Sequence, residues 1–84
     1  MNLVWVRVPN DSRFLAPQGV AMASNMTIDD LVEESKKVFG MQTVLGGRLF
    51  RVTENDVYEL SGEMNAVELG LRNGDPLDLV FDKE

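Results

Sequence analysis

The chain has 84 residues and a formal net charge of −6, from 14 acidic and 8 basic residues, and it contains neither cysteine nor histidine. This length allows a single domain, and the missing residue types exclude disulfides, thiolate and imidazole chemistry and the usual zinc ligands. An acidic surface repels phosphate backbones, so we expect no nucleic-acid partner. The sequence shows no membrane-length apolar run and no signal-peptide layout, which favours a cytoplasmic protein, with the nucleus and cytoskeleton as alternatives.

Two strands are predicted near the N-terminus. In residues 3–8, alternation places Val4, Val6 and Val8 on the core face, and Leu3, Trp5 and Arg7 on the solvent face. Residues 9–12 have the composition of a turn. Within residues 13–23, Pro17 cannot donate to a central ladder, so this segment is predicted to be an edge strand with Val20 and Met22 facing inward.

A helix is predicted over residues 27–39. Thr27 is placed as the N-cap with Asp30 three residues later, and Gly40 follows as the terminating residue. Glu33 and Lys37 are spaced for an i, i+4 ion pair. Apolar and small side chains recur at spacings of three and four and predict a buried stripe of Ile28, Leu31, Val32, Ser35, Val38 and Phe39.

The second half of the chain predicts three further strands. Residues 48–52 form the first, and its facing is left open between Leu49 inward with Phe50 outward and the reverse. A short strand at 57–60 is followed by an irregular crossover at 61–67 with one turn of helix. The closing strand at 77–80 has Leu77 and Leu79 as core residues, and it follows a turn rich in glycine, asparagine and aspartate.

These elements predict an α+β fold in which the closing strand lies at the centre of the sheet. Placing it between the first and third strands gives one mixed sheet of four to five strands in the order 2-1-5-3-4, with the helix covering one face. That layout is the β-grasp fold.

Three stretches of the sequence resemble the ubiquitin-like superfamily: MTIDDL at 26–31, running on to Gly40; GRLF at 47–50; and VELGLRNGDPLDLV at 67–80. The resemblance implies a protein-interaction module. Members that are conjugated or carry sulfur end in Gly-Gly, whereas this chain ends FDKE at 81–84. We therefore expect a non-conjugatable domain, the N-terminal part of a larger protein. The alternatives are a modifier or sulfur carrier truncated before its Gly-Gly tail, and a stand-alone bacterial ubiquitin-like protein of the type VII secretion kind.

The resemblance also implies a binding patch on the sheet face opposite the helix. It places Phe50 at the centre, next to Val80, and puts Asp78 where ubiquitin has a histidine. The other expected members are Trp5, Arg7 and Arg48, and aromatic and arginine side chains are the types enriched at interface hot spots. The alternative is that Phe50 and Val52 face the core and Trp5 packs on the hairpin loop.

The sequence offers no support for an enzyme, because its serines have no histidine or cysteine-type base nearby. Neither a metal site nor a cofactor motif is present in the pattern, and Asp75, Asp78 and Asp82 lack the spacing of a calcium loop. We expect a protein partner, no small-molecule ligand, and a monomer or weakly self-associating domain.

Overall fold

The computed structural model describes residues 2–9, 16–23 and 25–81. It contains five strands and one helix: β1 (Asn2–Arg7), β2 (Gln18–Met22), α1 (Ile28–Phe39), β3 (Arg48–Val52), β4 (Val57–Glu59) and β5 (Pro76–Val80). Most of the predicted turn at 9–12 and the start of the predicted segment 13–23 lie outside the described residues, as do residues 82–84.

The strands form one sheet in the order β2-β1-β5-β3-β4, which confirms the predicted order. β5 pairs parallel to β1 and antiparallel to β3, and the remaining pairings are antiparallel. Leu77 and Leu79 of β5 are fully buried, in agreement with their prediction as core residues. A strand with two such side chains is stabilised most where neighbours cover it on both sides, which is the centre of the sheet.

Alternation along the strands separates a core face from an outer face. The β1 valines are buried on the core face together with Val20 and Met22 of β2, as predicted. The sequence left open which side chains of β3 face the core. In the structure Leu49 is fully buried opposite Leu79, and Phe50 lies on the outer face opposite Asp78. The alternative with Phe50 and Val52 inward is therefore wrong.

The helix begins at the predicted cap. Thr27 Oγ1 accepts from the Asp30 N–H at 3.1 Å, and the Asp30 carboxylate accepts from the Thr27 N–H at 3.2 Å, which completes a capping box. Gly40 ends the helix in the left-handed region, with φ at 68°, a conformation that favours glycine.

Two predictions on the helix are wrong. Val38 is 46% exposed, and the long stem of Lys36 is buried in the stripe instead, with the residue 4% exposed. The Lys36 ammonium lies 3.0 Å from the Glu33 carboxylate and 6.0 Å from the centre of the Phe81 ring. Glu33 thus pairs three residues on, not with Lys37, whose ammonium lies 3.2 Å from Glu34.

The crossover at 61–67 is a series of turns, and no helix is assigned in it. Two reciprocal hydrogen bonds stabilise these turns. The Asn65 N–H donates to the Glu68 carboxylate at 3.2 Å, and the Glu68 N–H donates to Asn65 Oδ1 at 2.9 Å. In place of the predicted single turn of helix there is one hydrogen bond with the i to i−4 spacing of an α-helix, from the Leu69 N–H to the Asn65 carbonyl at 3.2 Å.

Leu79→Ala is expected to lower the free energy of unfolding by about 2–5 kcal/mol, because it leaves a cavity at the centre of the sheet. Val38→Ala, the matched control on the exposed face of α1, is expected to change it by less than about 0.5 kcal/mol. Urea denaturation followed by far-UV circular dichroism measures both, and a large loss in Val38→Ala would contradict the exposed position of that side chain.

Candidate functional site

The outer face of the sheet, on the side away from α1, holds all six residues of the predicted patch. The strand register sets Arg7 opposite Asp78, and Asp78 in turn opposite Phe50 on the next strand. Arg48 lies opposite Val80, and Trp5 opposite Pro76. The six side chains therefore share one face of three adjacent strands, with Asp78 between Arg7 and Phe50.

Trp5 is 46% exposed and lies across Gly19 of the neighbouring strand, with which it is paired. A methyl group added at Gly19 would be 3.6 Å from Cζ3 of the indole, which is ordinary van der Waals contact. An aromatic ring that covers a cross-strand glycine shields backbone that would otherwise be open to water. The indole is thereby held against the sheet while a large part of its surface faces outward.

Arg7 and Asp78 form a two-pronged ion pair across the parallel strands. Arg7 Nε lies 3.0 Å from Asp78 Oδ1, and Nη2 lies 3.1 Å from Oδ2. The hydrogen bond from the guanidinium to Asp78, and then the charge of that carboxylate, raise the pKa of Arg7. The Asp78 side chain is 13% exposed and that of Arg7 49%, so the pair lies flat on the face with the cation outermost.

Phe50 is half-buried beneath Arg48. The guanidinium carbon of Arg48 lies 5.5 Å from the centre of the Phe50 ring, a cation–π geometry. Arg48 also reaches Glu59 on β4, at 3.4 Å. Phe50 thus has a cation on one side along its own strand and the Asp78 carboxylate opposite it on β5.

A depression of about 160 Å³ lies on the outer face beside Trp5. It is smaller than pockets that hold small-molecule ligands, and its size suits a single side chain of a protein partner. Trp5, Arg7 and Asp78 were predicted to belong to the site, and sequence reasoning missed the other lining residues, Pro17, Val52, Pro76 and Leu77. The two prolines could have been found from the sequence, because proline favours the boundaries of strands. Pro17 directly precedes β2, and Pro76 is the first residue of β5.

Two further properties concern the described residues only. They contain no group of three side chains placed to hold a metal ion. Residues 2–9, 16–23 and 25–81 contain no helix that is long and apolar enough to cross a membrane.

No protein-family model matches the sequence, and no curated protein matches it. Among solved structures, the chain is similar to a chain in the toluene 4-monooxygenase HD complex with the inhibitor 4-bromobenzoate. The TM-score is 0.74 at 19% sequence identity, over 96% of this chain and 98% of that chain. The two folds therefore agree along almost their whole lengths, and at this identity the likeness concerns the fold alone.

The Arg7–Asp78 pair is expected to contribute a coupling free energy of about 0.2–1 kcal/mol, because half of the arginine side chain faces water and is screened. A double-mutant cycle with Arg7→Ala, Asp78→Ala and the double variant measures it by urea denaturation. Repeating the cycle at higher ionic strength should reduce the coupling. A coupling of zero at low salt would contradict a stabilising contribution of this ion pair.

Proposed function

We propose that this chain is a ubiquitin-like β-grasp domain that acts as a protein-interaction module through the outer face of its sheet. The strand order, with the closing strand at the centre of one mixed sheet, supports the fold assignment. The observation that carries the function is the side-chain set of the outer face, where Trp5, Arg7 and Phe50 stand together around Asp78.

This set suits a protein partner for physical reasons. Tryptophan and arginine are enriched at hot spots, where a rigid ring supplies contact area at low entropy cost. Trp5 is already held against Gly19, and Arg7 is already oriented by Asp78, so both lose little freedom on binding. The depression between them accepts one apolar anchor from the partner, while the charged rim fixes its orientation.

A second candidate concerns the assembly in which the domain acts. One solved chain of similar fold belongs to a monooxygenase complex, and this chain covers 98% of it. We propose as this second candidate that the domain is a small subunit of a monooxygenase assembly. The outer face would then be the surface that docks on a larger subunit.

The test is affinity purification of the tagged full chain from its native host, comparing the unaltered protein with a Trp5→Ala, Phe50→Ala double variant. One truncation at a hot spot costs about 2 kcal/mol or more, which corresponds to about 30-fold in Kd. Hot-spot losses do not simply add, so the double variant should lose the direct partner by at least this factor. Both side chains lie on the outer face, so thermal unfolding of the double variant should remain cooperative.

The matched controls are Val38→Ala on the exposed face of α1 and Val67→Ala in the crossover, two exposed apolar side chains away from the outer face. Both should retain the partner, and equal loss in controls and double variant would contradict the proposed surface. Recovery of oxygenase subunits would favour the second candidate, and recovery of ubiquitin-pathway proteins a recruitment role.

A further inference from the structure

The turn before β5 contains Asn73-Gly74, a pair of residues with a specific covalent reactivity. Of the six asparagines in the chain, only Asn73 is followed by glycine. In an Asn-Gly sequence the glycine nitrogen can attack the carbonyl carbon of the asparagine side chain, because glycine has no β-carbon to obstruct the approach. Asn73 and Gly74 are both exposed, so water can reach the site.

In the folded chain, one residue of β1 holds both of the groups that would react. The Gly74 N–H donates to the Leu3 carbonyl at 2.7 Å, and the Leu3 N–H donates to Asn73 Oδ1 at 2.9 Å. The Gly74 nitrogen must lose its proton before it attacks, which breaks the first hydrogen bond. Ring closure then moves Asn73 Cγ to bonding distance of that nitrogen, which displaces Oδ1 from the Leu3 N–H. Both hydrogen bonds must therefore open before the reaction.

We propose that Asn73 is a site of spontaneous deamidation, which the pairing of β1 with β5 suppresses in the folded chain, and that the isoaspartate product no longer forms this pairing. The modification thereby sets a limit on the lifetime of the folded domain. This site is separate from the outer-face patch, and its chemistry does not rest on the function proposed above.

The reaction consumes water and releases ammonia, with no oxidant or reductant. The Gly74 nitrogen forms a bond to Asn73 Cγ while the bond between Cγ and Nδ2 breaks, and Nδ2 leaves as ammonia with the proton that Gly74 has lost. Water then opens the resulting cyclic imide. Attack at the side-chain carbonyl gives aspartate. Attack at the main-chain carbonyl gives isoaspartate, in which the main chain runs through the former side chain.

The two products have different effects on β5. An aspartate carboxylate can still accept from the Leu3 N–H and leaves the main chain unchanged, so β5 keeps its place. Isoaspartate adds a methylene group to the main chain inside a tight turn, which the Asp75 N–H closes on the Arg72 carbonyl at 3.1 Å. The lengthened turn no longer directs the Gly74 N–H at the Leu3 carbonyl, and the start of β5 detaches from β1.

The test compares the full chain in the folded state and in guanidinium chloride at mildly alkaline pH, where a backbone amide loses its proton more readily. Mass spectrometry of peptides, with fragmentation that distinguishes aspartate from isoaspartate, follows each asparagine. In the unfolded chain Asn73 should convert fastest. In the folded chain its conversion should be at least about ten-fold slower, because two hydrogen bonds must open together. Hydrogen exchange at the Gly74 amide reports the same opening, so its protection should match the suppression of deamidation.

Two substitutions separate the chemistry from its consequence. Asn73→Gln would have to close a larger ring, which forms more slowly, so it should stay unmodified in both states, a control that holds whether or not the variant folds. Asn73→Asp supplies the aspartate product directly and should keep the protection of the Gly74 amide. The isoaspartate form, separated by chromatography from the aged chain, should lose that protection by at least about ten-fold.

The proposal is overturned if the folded and unfolded chains deamidate at equal rates, or if another asparagine converts faster than Asn73 in the unfolded chain. It is likewise overturned if the isoaspartate form keeps the protection of the unmodified chain at Gly74, or if Asn73→Asp and the isoaspartate form lose this protection equally.

Discussion

Insertion of β5 between β1 and β3 is the constraint on which the rest of the structure depends. Burial of Leu77 and Leu79 stabilises this position by about 1.5–3 kcal/mol for each side chain, an upper range for complete burial. The turn that precedes β5 is also held by contacts to its neighbouring strands. The Leu3 N–H donates to Asn73 Oδ1 at 2.9 Å, and the Arg51 guanidinium lies 3.1 Å from the Asp75 carboxylate. Because β5 is fixed in this register, Asp78 stands between the cation of β1 and the aromatic ring of β3.

The same register gathers the side chains of the outer face. The outer face combines an indole, a phenyl ring and arginines, which suits apolar anchors framed by charge.

Much of the fold could be predicted because period-2 and period-3.6 patterns report burial directly, as in the β1 valines and the capped helix. The facing of β3 could not be predicted from these patterns, since Leu49 and Phe50 are adjacent and both apolar. The helical spacing predicts Val38 in the buried stripe, whereas Lys36 is buried there instead: it is 4% exposed, and its ammonium lies 6.0 Å from the centre of the Phe81 ring. The Arg7–Asp78 pair joins positions 71 residues apart, so it is visible only once the register is known.

The parallel pairing of β1 with β5 also has a consequence for how the chain folds. Contacts such as Leu3 with Asn73 span 70 residues, so the central ladder closes only after nearly the whole chain is available. Closing so long a loop costs entropy before the ladder is formed, which slows folding relative to a helical domain of equal length. During synthesis, the β1–β2 hairpin and α1 emerge first and wait, with their apolar faces uncovered, until β5 leaves the ribosome. The outer face, which needs β5 between β1 and β3, does not exist before that moment, so a partner that recognises it cannot engage the nascent domain prematurely.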